Sequence, residues 1–178
     1  TPYDGVLLFH EMGTGKTCSA VGAIEQVRKD GKFKGAIYVA SKVLSDKFLH
    51  EILYTCTDGR YIPEDLGKTE ETKERRLRKA VSDYYKLGKD YTYQTFAKKL
   101  SSMSPEVIRN IYSNHIIVID EVHNITDMSG KKKDTNPEVY KNIHRLLHNT
   151  HGCKVLLLSG TPMRNTVNEI SSVMNLIL

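Results

Sequence analysis

Long apolar runs are missing from this chain. None approaches the roughly 20 residues needed to span a bilayer, so neither a membrane helix nor a membrane partner is expected. A basic leader is missing too: the first residues are Thr1-Pro2-Tyr3-Asp4, without the charged n-region of a secretory signal. A start without Met points to a fragment or a processed chain. Cysteine is scarce. Cys18, Cys56 and Cys153 lie far apart, a set that predicts neither a disulfide framework nor a metal cluster and that fits a reducing compartment. Charge of one sign is in small excess, net +5, and hydrophobic content is 39% over 178 residues. That composition suits one soluble globular domain, residues 1–178, and excludes a disordered chain.

The excess charge is local. Between Lys68 and Lys99 there are ten Lys/Arg and five Asp/Glu, which is +5 and equals the whole net charge. A solvated helix face accounts for it as well as a nucleic-acid-facing patch does, and from charge alone the solvated face is the better reading. The segment around 57–90 reads as a basic helical insertion.

What the chain does have is an alternation of apolar strands and helical patterns. Gly5–Phe9, Gly35–Ala40, His115–Asp120 and Lys154–Leu158 read as strands. Continuous apolar runs of this kind are typical of parallel strands covered on both faces. Helices are expected from Thr17 to about Lys29, Val43 to Thr55, Thr69 to Leu87, Gln94 to Leu100, from Ser104, from Asn136 to Asn149, and over Arg164–Leu178. Tyr91-Thr92-Tyr93 reads as a short strand, and 124–136 as a polar loop. The alternation argues an α/β fold: a mostly parallel sheet with helices on both faces.

The stretch around which the rest is organised is His10-Glu11-Met12-Gly13-Thr14-Gly15-Lys16-Thr17. It sits between the first strand and the first helix, the context of a phosphate-binding loop. Backbone N–H groups from Gly13 to Cys18 would cradle phosphate oxygens at the helix's positive end. Lys16 would reach the outer phosphates, and Thr17 would place its hydroxyl on Mg²⁺. His10 stands where the general pattern G-x-x-x-x-G-K-[ST] has its first glycine.

A second motif lies about a hundred residues on. Ile116-Ile117-Val118-Ile119 ends in Asp120-Glu121. After a phosphate loop, Asp120 is the expected Mg²⁺ holder and Glu121 the group that orients and deprotonates the attacking water. Two adjacent carboxylates repel without a cation, which supports a metal there. The glycine loop, Asp120-Glu121 and Ser159-Gly160-Thr161 all fall at carboxyl ends of predicted strands, where open α/β sheets bind ligands.

Asp120-Glu121-Val122-His123 resembles the Asp-Glu-x-His box of superfamily 2 helicases and translocases. Glu11–Thr17 is similar to their first motif, Leu156–Asn165 to the third motif of their chromatin-remodeller branch, and Tyr91-Thr92-Tyr93-Gln94-Thr95-Phe96 to a Thr-Tyr-x-x-Phe segment before the box. Leu-Leu-Phe-His-Glu at the loop looks most like ATPases of large cytoplasmic DNA viruses, including poxvirus-type nucleoside triphosphatase I and early-transcription-factor helicases. The resemblance spans Gly5 to Asn165. It implies a RecA-like P-loop first lobe, with Gly13, Thr14, Gly15, Lys16, Thr17 and Cys18 on ATP, and Thr17 and Asp120 on Mg²⁺. Lys16, Asp120 and Glu121 would serve catalysis. His123, Ser159, Gly160 and Thr161 would couple nucleotide state to nucleic-acid contacts. Ser41-Lys42 matches the place where the family touches a nucleic-acid backbone, although these residues depart from the usual Ala-Pro pattern.

The implied function is the ATP-binding lobe of a nucleic-acid-dependent ATPase, a helicase or duplex translocase linked to viral transcription. Its implied partners are DNA or RNA, RNA polymerase or other transcription factors, and a second RecA-like lobe of the same polypeptide that this chain lacks. The implied location is the cytoplasm or virion. The rival reading is a transcription-initiation or packaging factor that uses ATP binding as an assembly switch without strand separation. His144, His148 and His151 have helical spacing but no completing ligand set and read as surface histidines. Tyr84 and Tyr85 are expected to pack inward, and Lys131-Lys132-Lys133 to be a solvated loop.

Overall fold

The computed structural model describes residues 4–9, 15–126, 137–160 and 167–178, the side chains of 167–169 excepted. His10 to Thr14, Lys131-Lys132-Lys133 and Thr161 to Asn165, all singled out by sequence, lie outside the described residues. The described strands are β1 (Gly5–Phe9), β2 (Gly35–Val39), β3 (Tyr85–Lys86), β4 (His115–Ile119) and β5 (Lys154–Ser159). They form one parallel sheet in the order β1-β5-β4-β2-β3. The helices are α1 (Lys16–Arg28), α2 (Lys42–His50), α3 (Glu70–Ser82), α4 (Tyr93–Ser101), α5 (Pro105–Tyr112), α6 (His123–Thr126), α7 (Pro137–Asn149) and α8 (Val167–Met174).

The sheet carries a core on each face, divided by the two-residue period of the strands. Ala36, Tyr38 and Ala40 join Ile116 and Val118 on one face, under Ala20, Val21 and Ile24 of α1 and Phe48 and Leu49 of α2. Ile37, Val39, Ile117 and Ile119 point the other way, against Phe96 of α4, Ile108 of α5, Ile143 and Leu146 of α7, and Val173 of α8. Neither face meets water, so β2 and β4 are buried along their whole length. The expected α/β architecture, parallel with helices on both faces, is what the chain adopts.

Local chemistry explains the helix starts. Ser41 and Ser104 accept the N–H groups of Leu44 and Val107, both at 3.3 Å, and Thr69 accepts that of Thr72 at 3.2 Å. These are N-caps. Pro105 occupies the first turn of α5, where its missing N–H costs nothing.

Several expectations need correction. Helix α3 ends at Ser82, and Tyr85–Lys86 leave it to pair with Ala36 and Ile37 as the edge strand β3. Two residues are too short to show a period. Tyr91–Tyr93 is not a strand: Lys89–Tyr91 form a 3₁₀ turn, Thr92 makes one bridge to Ala40, and Tyr93 opens α4. The polar loop does not begin at Asn124, because His123–Thr126 form α6, with Ile125 and Thr126 buried. Beyond α2 the chain makes a π-helical turn, Glu51–Thr55. Tyr84 and Tyr85 pack inward as expected. In the basic segment, Lys73 pairs with Glu70, Arg76 with Asp65, and Arg78 with Asp46 and Glu74. Tyr61, Tyr85 and Arg60 converge on the Glu25 carboxylate of α1 and fasten the 57–62 stretch to the body.

His115, at the start of β4, is buried with its Nδ1 against the Tyr112 and Ser113 carbonyls at 3.2 and 3.1 Å. Burial lowers its pKa below the ordinary value; those two carbonyls oppose the shift, and Lys34 and Lys86 add to it. A depressed imidazole contributes stability that is full above its unfolded value, about 6.5, and is lost as pH falls through the folded value. Thermal melts between pH 8 and 5 should therefore show stability declining below about 6.5. His115→Gln should flatten that decline, and an unaltered slope in the variant would exclude His115 as its source.

Candidate nucleotide site

The carboxyl edge of the sheet collects the sequence-predicted residues. Gly15 ends the loop after β1 and caps α1 with φ 81° and ψ 15°, a left-handed conformation natural to glycine. Having no side chain, it offers no acceptor to the N–H groups of Lys16, Thr17 and Cys18. The first helical bond is Ser19 N–H to the Gly15 carbonyl, 2.9 Å. The amides of Lys16, Thr17 and Cys18 thus precede the first helical bond at the positive end of α1, the arrangement an anion requires.

Two strands away in the sheet, β4 delivers Asp120 and Glu121. The Asp120 N–H bonds the Val39 carbonyl at 3.0 Å, and the Val122 N–H bonds that of Leu158 at 3.0 Å, so the turn after β4 is pinned to both neighbouring strands. Glu121 takes φ 45°, a left-handed conformation that costs a non-glycine residue on the order of 1 kcal/mol or more. That turn aims its carboxylate across the top of β5. Lys16 Nζ lies 3.4 Å from Glu121 Oε1, with the two side chains 11% and 18% exposed. Glu121 Oε2 lies 3.2 Å from His123 Nδ1 and accepts the Gly160 N–H at 3.4 Å. His123 Nδ1 is in turn 3.1 Å from Ser159 Oγ. One carboxylate therefore touches the first motif, the Asp-Glu-x-His box and the Ser-Gly end of β5.

Asp120 is 7% exposed. Burial pushes its carboxyl above the ordinary value, and the Glu121 charge adds to that; the Tyr38 hydroxyl, the Glu121 amide and Lys16 pull it back. The buried Asp120 carboxyl, next to the Glu121 carboxylate, offers oxygen donors of the kind Mg²⁺ takes. That donor chemistry fits the ion, which Thr17 and Asp120 would hold.

Ser41 uses its hydroxyl to cap α2, and Lys42 is exposed at the first position of that helix. His144 and His148 stack on α7 at 3.9 Å and belong to no ligand cluster among the described residues. Gly13, Thr14 and Thr161 fall outside the described residues.

Sequence reasoning missed three contributors. Tyr38 on β2 donates its hydroxyl to Asp120 Oδ2 at 2.5 Å. Tyr93 at the start of α4 donates to the Asp120 backbone carbonyl. Their signal was present: a tyrosine inside an apolar strand or facing a core usually has a partner for its hydroxyl, although the buried hydroxyls of Tyr84 and Tyr112 make no such bond. The third corrects an expectation. Cys18 and Cys56 form a disulfide, Cα–Cα 5.1 Å, across 38 residues of sequence, whereas the spacing of the cysteines suggested no pairing. The π-helical turn brings Cys56 against the first turn of α1, a proximity that linear spacing hides. The composition argument for a reducing compartment loses its premise. Cys153 is free and buried.

Residues 3–164 match the family described as type III restriction enzyme, res subunit. The chain is 45% identical to "Putative helicase 009L" of Frog virus 3 (isolate Goorha), covering 100% of this chain and 18% of that protein. It is 36% identical to "Putative helicase 087L" of Invertebrate iridescent virus 3, covering 100% and 19%. It thus spans under a fifth of the length of these curated relatives. Among solved structures it resembles the Sulfolobus solfataricus SWI2/SNF2 ATPase core in complex with dsDNA, with TM-score 0.62, 20% identity, 97% of this chain and 31% of that one. It also resembles the Pyrococcus furiosus Hef helicase domain, with TM-score 0.59, 21% identity, 98% and 33%. These likenesses bear out the fold of a first RecA-like lobe, and the relatives bear out the viral resemblance read from the motifs.

The disulfide closes a loop whose cross-link is worth up to about 4 kcal/mol of chain entropy on the simplest account. Reduction, or Cys56→Ser, should lower the melting temperature by roughly 5–10 °C. Identical melting with and without reductant, after thiol counting has established the oxidised state, would contradict a stabilising cross-link.

Proposed function

The chain belongs to the family of type III restriction enzyme res subunits, and from that premise we propose that it is the ATP-binding lobe of a nucleic-acid-dependent ATPase, a helicase or duplex translocase. The observation that carries the reading is Glu121. One carboxylate contacts Lys16 of the phosphate loop at 3.4 Å, His123 at 3.2 Å and the Gly160 amide at 3.4 Å, so three motifs far apart in sequence share one group.

The chemistry is hydrolysis of ATP to ADP and phosphate. The Lys16 ammonium and the amides of Lys16, Thr17 and Cys18 bind and orient the phosphates. When ATP occupies the loop, Lys16 turns to the phosphates and releases one oxygen of Glu121, which then orients the attacking water and takes its proton. The amide of Gly160 and the ring of His123 keep that carboxylate aimed, and through Ser159 they connect it to the end of β5. Thr17 and Asp120 would hold Mg²⁺, which would supply neutralisation of phosphate charge when bound. A second RecA-like lobe in the same polypeptide would add arginines to the transition state, an effect worth roughly 10³–10⁵ in rate in related NTPases. The 178 residues alone are thus expected to bind ATP and turn it over poorly.

The proposed track is DNA or RNA, with Ser41-Lys42 and the end of β5 nearest to it. The SWI2/SNF2 core is a complex with dsDNA, which supports a duplex substrate. The proposed setting is an infected cell's cytoplasm or the virion, with RNA polymerase or transcription factors as proposed partners.

The test is ATP turnover by the whole polypeptide that carries this chain, without nucleic acid, with single-stranded RNA and with duplex DNA. One polymer should stimulate strongly. Lys16→Ala should abolish turnover, and Glu121→Gln should keep nucleotide binding while losing about 10²–10⁴-fold in rate. Turnover that ignores every polymer would replace the motor by an assembly factor that uses ATP as a switch.

A further inference from the structure

Asp120 hangs on a torsion that its own chemistry leaves loose. A carboxylate turns about a terminal sp³–sp² bond with a broad preference, so something else must set its angle. Here each oxygen has a protein donor. Oδ1 accepts the Glu121 N–H at 2.9 Å, a bond that comes with the turn after β4. Oδ2 accepts the Tyr38 hydroxyl at 2.5 Å, a bond that comes from the neighbouring strand.

Register explains the second bond. Tyr38 of β2 is paired with Val118 of β4. Asp120 is two residues beyond Val118, so it lies on the same face as Tyr38 and is its diagonal neighbour, within reach of a long side chain. The tyrosine ring is itself fixed: it is 2% exposed and stacks on Phe48 of α2 with centroids 3.8 Å apart and planes 12° from parallel. A valine or isoleucine at position 38 would suit a buried parallel strand as well and would leave Oδ2 without this donor.

We propose that Tyr38 is a positioning residue for the metal-holding carboxylate: braced by Phe48, its hydroxyl locks the Asp120 rotamer, so that the lone pairs left on the carboxylate face the cation that accompanies the nucleotide. An ionised carboxyl has about four acceptor positions, of which these two donors take one on each oxygen. The inference rests on the ATPase reading and adds a residue to it. Partners of metal ligands act this way generally: they hold the ligand's orientation, and their loss costs about 10–100-fold in metal affinity or activity.

Tyr38→Phe removes one oxygen atom and keeps the ring on Phe48. Tyr85→Phe is the control. It deletes another buried tyrosine hydroxyl that donates to a carboxylate, that of Glu25, outside the nucleotide site. In the whole polypeptide, Mn²⁺ binding in the presence of a non-hydrolysable ATP analogue is titrated by electron paramagnetic resonance. Alongside it run metal-free nucleotide binding, the Mg²⁺ dependence of turnover and thermal melting. Tyr38→Phe should weaken Mn²⁺ about tenfold and raise the Mg²⁺ needed for half-maximal turnover by a similar factor. Metal-free nucleotide affinity should stay unchanged, and turnover should recover at high Mg²⁺. Tyr85→Phe should melt lower and bind Mn²⁺ as the wild type does. A metal-dependent wild type with Tyr38→Phe unaltered in Mn²⁺ affinity overturns the inference alone. So does equal weakening in Tyr85→Phe, which would assign the effect to general loosening of the core. A wild type whose nucleotide binding and turnover ignore the cation overturns the ATPase reading as well.

Discussion

Strand β4 is enclosed on every side. β2 and β5 bond it along both edges, and helices cover both faces, leaving Ile117, Val118 and Ile119 with no measurable exposure. Its backbone groups have no water to turn to, so the ladder to each neighbour is compulsory. That requirement fixes β4 rigidly. Whatever follows Ile119 is delivered to one place at the carboxyl edge. Asp120 and Glu121 follow it, and their N-terminal frame cannot shift without breaking bonds to Val39 and Leu158.

Burying two carboxylates at the end of such a strand is costly, and much of the surrounding structure offsets that cost. Lys16 and the Gly160 amide meet Glu121; the Tyr38 hydroxyl and the Glu121 amide meet Asp120. The residual strain shows in the left-handed Glu121 backbone and in the upward push on the Asp120 carboxyl. Under the proposed reaction, a site prepared this way would spend its reorganisation during folding and not during each turnover, which is where electrostatic catalysis draws its advantage. Lys16 is paired with Glu121 in the resting protein, and that is the contact the proposed nucleotide would exchange.

The second layer of support comes from aromatic residues. Phe48 braces Tyr38, Tyr38 meets Asp120, and Tyr93 meets the Asp120 carbonyl from the opposite core. On α1, Glu25 gathers Tyr61, Tyr85 and Arg60, while the Cys18–Cys56 disulfide ties the helix start to the π-helical turn. Helix α1 is thereby held at its first turn by a covalent bond and further along by a carboxylate. Both anchors come from the stretch between Cys56 and Tyr85.

The sequence by itself determined the parallel sheet, because apolar runs such as Gly35–Ala40 and Ile116–Ile119 leave no polar face to expose. It also determined which residues carry charge and hydroxyl groups at strand ends, from the Gly-Thr-Gly-Lys-Thr loop to Asp120-Glu121. Those are properties of short segments, legible from the period of side chains and from chemistry that is local. Only the tertiary structure decided the rest. The edge strand at Tyr85–Lys86 and the turn at Lys89–Tyr91 are too short to have a period, and α6 begins where a polar composition suggested a loop. The Cys18–Cys56 bond, the diagonal reach of Tyr38 to Asp120 and the convergence of Lys16, His123 and Gly160 on Glu121 depend on strand order and register. Those are set by how two cores fill on opposite faces of one sheet, and no local window of residues contains that information.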